Sequence, residues 1–153
     1  MTEANIHASC VALNGRAVLL VGASGAGKSD LTLRLIDSGA KLVADDRTVL
    51  FTKKGALHAK APASIRGLIE IRGVGIVKFP VHASAPIMLV VRLGREGPRL
   101  PAQRTWRPPA PLIVNAPPPQ IALDAHFAST PAKIRAALAA FSEGLFRDTF
   151  NTK

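Results

Sequence analysis

Residues 22–29 read GASGAGKS, with glycines at 22, 25 and 27, a lysine at 28 and a hydroxyl at 29. That spacing is suited to phosphate chemistry. The glycines let successive backbone N–H groups turn toward phosphate oxygens, Lys28 reaches the outer phosphates, and the Ser29 hydroxyl is a ligand for Mg²⁺. The full cradle is Gly22, Ala23, Ser24, Gly25, Ala26, Gly27, Lys28 and Ser29. Sixteen residues beyond Ser29 stands Asp45, in LVADDR, followed at once by Asp46. Two adjacent carboxylates at a strand end, close to a bound triphosphate, can divide labour: one holds Mg²⁺ directly or through water, and the other accepts a proton from an attacking hydroxyl. The plainer alternative is that Asp46 pairs with Arg47 or another surface cation. A third stretch, EIRGVGIV at 70–77, sets a carboxylate and an arginine beside two glycines in what would otherwise be a plain apolar strand.

The elements that must position these groups follow from periodicity. IHASCVAL and AVLLVG are short apolar runs separated by NGR, which predicts two strands joined by a tight hairpin. From Ser29 the spacing becomes helical, with Leu31, Leu35 and Ile36 on one side and Gly39 as the stop after Ser38. Strand, glycine loop and helix is the context a phosphate cradle requires. KLVADD reads as a return strand, TVLFT and ALHAKA as a hairpin across KKG, and EIRGVGIVKF and PIMLVVRLG as further strands. The segment from Arg95 to Gln120 is rich in proline and arginine and reads as irregular, apart from a strand at PLIVNA. Thr130 before Pro131 is a cap followed by a first-turn proline, opening a helix over AKIRAALAAF.

The 153 residues suit one domain spanning residues 1–153, with 48% hydrophobic residues to build its core. No run approaches the ~18 apolar residues of a membrane span. The N-terminal sequence lacks the pattern of a secretory or transit peptide, so the expected location is cytoplasmic, and the lone Cys10 has no intrachain disulfide partner. The net charge is +10, yet residues 1–50 hold five basic and five acidic side chains, so the whole excess lies in the rest of the chain. That half suits an anionic partner or is a solvated basic surface. With 5% aromatics, no tyrosine, and neither helix-turn-helix nor zinc spacing, nucleic acid is not the expected partner. His58, His82 and His126 show no metal-ligand spacing, and Trp106 reads as a buried side chain.

His7, GASGAGKS, LVADDR and EIRGVGIV, in that order, resemble the catalytic domain of HPr kinase/phosphorylase. The resemblance covers residues 5 to about 100 and lacks the family's usual N-terminal domain, which makes the chain look like a short, catalytic-domain-only form. It implies an α/β P-loop kinase domain with a largely β core, similar to phosphoenolpyruvate carboxykinase. It also implies transfer of the ATP γ-phosphoryl group to a serine of the phosphocarrier protein HPr, with ATP and Mg²⁺ as cofactors and, in many members, reverse phosphorolysis to pyrophosphate. By the same resemblance Lys28 binds phosphates, and Ser29 and Glu70 hold Mg²⁺. Asp46 is the base, Asp45 supports it, His7 contacts the aspartate, and Arg99 is the catalytic arginine, with Arg92, Arg95 and Arg104 as competitors. The signature stretch corresponds to Glu70, Ile71, Arg72, Gly73, Val74, Gly75, Ile76 and Val77. A hexamer is typical of the family. Full-length members carry a loop of the form VRPGRN, associated with the dephosphorylating direction, where this chain has NAPPPQ at 115–120. The alternatives are a P-loop regulatory switch, for which no NKxD motif is present, and a small-molecule kinase.

Overall fold

The computed structural model describes residues 2–147, and it is dominated by strands. The expected run IHASCVAL is divided: β1 spans Glu3–Ile6 and β2 spans Ser9–Leu13, with a bend at His7 between them. β2 pairs antiparallel with β3, Arg16–Val21, across Asn14 and Gly15, whose φ values of 52° and 76° make the two-residue turn that matches strand twist. After the glycine loop, α1 runs Lys28–Asp37 and β4 returns over Lys41–Ala44. β5, Thr48–Lys53, and β6, Ala56–Lys60, form the hairpin across KKG, with Lys54 and Gly55 again at positive φ.

EIRGVGIVKF is a hairpin rather than one strand. β7, Leu68–Ile71, pairs with β8, Gly75–Lys78, across a turn closed by the Val74 N–H donating to the Ile71 carbonyl. Gly73 has φ 85°, so the glycines read as part of a strand are the residues that break it. β9, Ser84–Leu93, is the long central strand. The Pro/Arg-rich segment holds β10, Arg104–Thr105, and leads into β11, Pro119–Leu123. PLIVNA is not a strand. Its Leu112 and Val114 are buried and Ile113 is exposed, the alternation of a strand, but its backbone bonds go to Pro109 and Gly55. α2 covers Thr130–Glu143 with Pro131 in its first turn; Ser129 is the cap position, and the Thr130 hydroxyl donates to the Asp124 carbonyl instead of capping.

The main sheet runs β1-β5-β6-β9-β3-β2-β4, and β11 lies parallel to the C-terminal half of β9 with β10 beyond it. β9 is antiparallel to β6 at its start and parallel to β3 afterwards. A register shift opposite Ala17 and Val18 inverts its face pattern: Ile87 packs with Leu19 and Leu50 on one side of the sheet, whereas Leu89 packs with Leu31 and Ile134 on the other. The second face is covered by both helices. Leu31 and Leu35 of α1 and Ile134 of α2 are completely buried there, each contributing about 1.5–3 kcal/mol by leaving water. α1 stops as expected at Gly39, φ 114°, where Gly39 N–H donates to Ile36 and Ala40 N–H to Leu35.

Candidate functional site

The P-loop leaves the centre of the sheet at the end of β3 and enters α1 at Gly27. Two of its glycines are required by contact as well as conformation. A Cβ on Gly22 would stand 2.8 Å from the Leu93 carbonyl, and one on Gly27, φ 97°, 3.1 Å from the Ala125 side chain. Lys28 is buried and folds over its own loop, donating to the carbonyls of Gly22 at 2.8 Å and Ala23 at 3.0 Å. These bonds hold the ammonium at the mouth of the cradle.

Asp45 and Asp46 part company at the end of β4. Asp45 is buried and its Oδ1 accepts from the Ser29 hydroxyl at 2.8 Å and the Ser9 hydroxyl at 3.0 Å. Burial pushes its carboxyl above the ordinary range, against the lowering effect of those two bonds. Asp46 points the other way. Its side chain is 67% exposed and its Oδ1 lies 2.8 Å from His7 Nε2, so its partner is His7 and not Arg47. The backbone there is a three-residue turn, with Arg47 N–H donating to the Asp45 carbonyl and Asp46 at φ 69°, a strained position for a residue with a Cβ. The Ser9 hydroxyl accepts from the Asp46 N–H while donating to Asp45, so one serine fixes both aspartates.

The other sequence-derived candidates are placed less closely. Glu70 is exposed on β7, a strand that packs against α1, and among the described residues its side chain has no hydrogen bond or ion pair. Arg72, Val74 and Ile76 of the same hairpin are also exposed. Arg99 is exposed beyond β9 and has no partner among the described residues, whereas Arg92 stands in register with Val21, immediately before the P-loop. Trp106 is partly buried against the core, and Cys10 lies fully inside it. No group of three or more His, Cys, Asp or Glu side chains able to hold a metal is assembled among the described residues. None of the described helices is long and apolar enough to cross a membrane.

His126 is the residue that sequence reasoning passed over. Its Nε2 lies 3.6 Å from where a Gly27 Cβ would stand, its Nδ1 is 3.0 Å from Asp124 Oδ1, and the same oxygen accepts its backbone N–H at 2.8 Å. No local signal marks it, because β11 comes beside the P-loop strand only through β9.

The protein-family model described as "HPr Serine kinase C-terminal domain" matches residues 1–95. An HPr kinase/phosphorylase of Lactobacillus acidophilus is 39% identical over 103 residues, covering 62% of this chain and 32% of the relative. The protein of the same name from Brevibacillus brevis is 45% identical over 75 residues, covering 48% of this chain and 24% of the relative. The chain thus spans about a third or less of the curated relatives it matches. The solved structure of the HPr(Ser) kinase/phosphatase from Coxiella burnetii superposes with a TM-score of 0.74 at 25% identity, covering 93% of this chain and 92% of that one.

Proposed function

Because the chain belongs to the HPr serine kinase C-terminal domain family, we propose that it is an ATP-dependent kinase that phosphorylates a serine of HPr. The observation that carries this reading is the divergence of the two aspartates: Asp45 turns to Ser29 of the P-loop, and Asp46 stands in solvent beside His7. A site that only held nucleotide has use for the first. A site that moves a phosphoryl group to an incoming protein needs the second, since its base must be reachable by the acceptor hydroxyl.

In the proposed reaction the serine hydroxyl of HPr gives its proton to the Asp46 carboxylate as its oxygen bonds to the γ-phosphorus. The bond from that phosphorus to the bridging oxygen breaks, and ADP leaves. His7 orients Asp46 and steadies its charge. Lys28 and the loop N–H groups hold the phosphates in line. The donor set fits Mg²⁺: the Ser29 hydroxyl and the Asp45 carboxylate form a close oxygen pair, and this ion ordinarily takes one or two protein ligands with phosphates and waters completing its shell. Glu70, on the hairpin beside α1, is the further oxygen donor proposed for it. When bound, the ion neutralises charge on the outer phosphates. Arg99, or Arg92 at the foot of the P-loop, is assigned the catalytic arginine's role.

A cytoplasmic location, kinship to phosphoenolpyruvate carboxykinase, a single catalytic unit over 1–153 and a hexameric assembly belong to the same proposal. The test is incubation of the pure protein with labelled ATP, with and without HPr. Acid-stable phosphoserine is expected only when both are present, and its absence at full nucleotide occupancy overturns the acceptor assignment.

A further inference from the structure

β2 lies between the strand that feeds the P-loop and the strand that ends in the two aspartates. Its first residue, Ser9, stands opposite Leu20 of β3, and the next, Cys10, stands opposite Ala44, the last residue of β4. Ser9 is completely buried, so neither nucleotide nor acceptor reaches it. A serine hydroxyl has one proton to give and lone pairs to accept with, and here both are used. The proton goes to Asp45 Oδ1 at 3.0 Å, the oxygen that also receives the Ser29 proton at 2.8 Å, and a lone pair takes the Asp46 N–H at 3.1 Å. An unbroken run of hydrogen bonds therefore leads from the P-loop hydroxyl, through Asp45 and Ser9, to the backbone of Asp46.

What this run holds is a conformation that does not hold itself. Asp46 has φ 69°, which a residue with a Cβ keeps only where its surroundings insist on it. Its exposed carboxylate is met from outside by His7, two residues before Ser9, so the segment 7–9 grips the aspartate at side chain and backbone together. Without the Ser9 hydroxyl the Asp46 N–H loses its acceptor, and the turn is free to relax and carry the carboxylate away from His7. A second buried hydroxyl makes a natural comparison. Thr48 Oγ1 donates to the Ala8 carbonyl at 2.8 Å, bracing the same two segments without a side-chain bond to either aspartate.

We propose that Ser9 is a positioning residue of the phosphoryl transfer, setting the Asp46 carboxylate in place against the P-loop through the Asp46 backbone. The inference rests on the reading of Asp46 as the base. The test combines single-turnover phosphorylation of HPr at saturating ATP and Mg²⁺, calorimetry with ATP, and hydrogen exchange of the Asp46 amide followed by NMR in the full chain. Ser9→Ala is expected to slow transfer about tenfold and speed exchange of the Asp46 amide about tenfold, the size of one lost hydrogen bond, with ATP affinity unchanged. Thr48→Ala should lower stability to urea as much as Ser9→Ala does, yet keep the wild-type transfer rate and Asp46 exchange. Transfer at the wild-type rate in Ser9→Ala would overturn the proposal, and so would equal slowing in Thr48→Ala, since the serine would then only brace the fold. A wild-type Asp46 amide that exchanges as fast as an unstructured chain would overturn it without any variant. A wild type that binds ATP but never phosphorylates HPr would refute the acceptor assignment, and Asp46 exchange in Ser9→Ala would still decide whether the serine holds the turn.

Discussion

His7 Nε2 lies 2.8 Å from Asp46 Oδ1 although 39 residues separate them in the chain. The contact depends on β1 pairing with β5, where Ile6 stands opposite Thr48, so that the bend after β1 faces the turn before β5. Asp46→Asn preserves the shape of the side chain and removes its basicity. It is expected to retain ATP binding and lose phosphoryl transfer to HPr by a factor on the order of 10² or more. His7→Ala, which leaves the carboxylate but frees its orientation, should cost about tenfold in turnover with unchanged ATP affinity. Single-turnover phosphorylation separates the two, and wild-type rates in Asp46→Asn would move the base to Asp45.

Lys28 spends two hydrogen bonds on its own loop, and phosphate oxygens compete for the same ammonium. Lys28→Ala should retain the far-ultraviolet circular dichroism of the wild type and weaken ATP with Mg²⁺ by at least about tenfold, as expected for a lost charge-assisted contact. Calorimetry with equal affinities in variant and wild type would remove the P-loop from the mechanism.

What could be read from the sequence is what local chemistry dictates. The P-loop, the Asn14–Gly15 hairpin and the Gly39 stop each need only neighbours in the chain, and each stands where expected. The His7–Asp46 pair was accessible only through family resemblance, because it is made by strand pairing. Where apolar runs misled, backbone satisfaction decided. Leu112 and Val114 bury their side chains without a neighbouring strand to meet their backbone, and the EIRGVGIV glycines turn the chain back on itself. β11 and the His126 turn were hidden because their neighbour, β9, lies about thirty residues earlier and is reached through a proline-rich segment.

Gly27 sits at φ 97° with the Ala125 side chain 3.1 Å from any added Cβ. Gly27→Ala thus meets a strained backbone and a tight contact together, and should destabilise the fold by about 1–3 kcal/mol. Urea unfolding is the measure. A stability equal to the wild type would show that the β11–α2 turn does not press on the P-loop.

Cys10 is fully buried between β3 and β4, and desolvation pushes its thiol well above the ordinary value of 9.0. The native protein should therefore resist alkylation at mildly alkaline pH, with labelling only on global unfolding. The sign of the alkaline stability follows. Above 9.0 the unfolded chain loses this proton first, so the folded state binds more protons and stability falls as pH rises. Cys10→Ala should lessen that fall, and rapid labelling of native protein would contradict the burial.

The phosphorolytic direction is a further expectation that the family resemblance raises. Attack by inorganic phosphate on phosphoserine requires a dianion held in line; the resemblance expects a loop of the form VRPGRN, with two arginines and a glycine, for that task, and sets NAPPPQ at 115–120 in its place. The prolines fix φ and remove donors, and the segment is pinned elsewhere: Asn115 N–H donates to the Gly55 carbonyl, and Trp106 N–H to the Pro118 carbonyl. The forward reaction proposed above assigns no role to these residues. Kinase activity should therefore be intact and phosphorolysis impaired or dependent on high phosphate. Arg104 is a cation that the fold sets against this segment, in register with Gln120 and exposed, and Arg107 follows it by three residues, so residual phosphorolysis should fall further in Arg104→Ala. The measurement is pyrophosphate release from serine-phosphorylated HPr across a phosphate titration. Half-saturation at low phosphate, with turnover matching the kinase direction and indifferent to Arg104, would show that the lost arginines never held the phosphate.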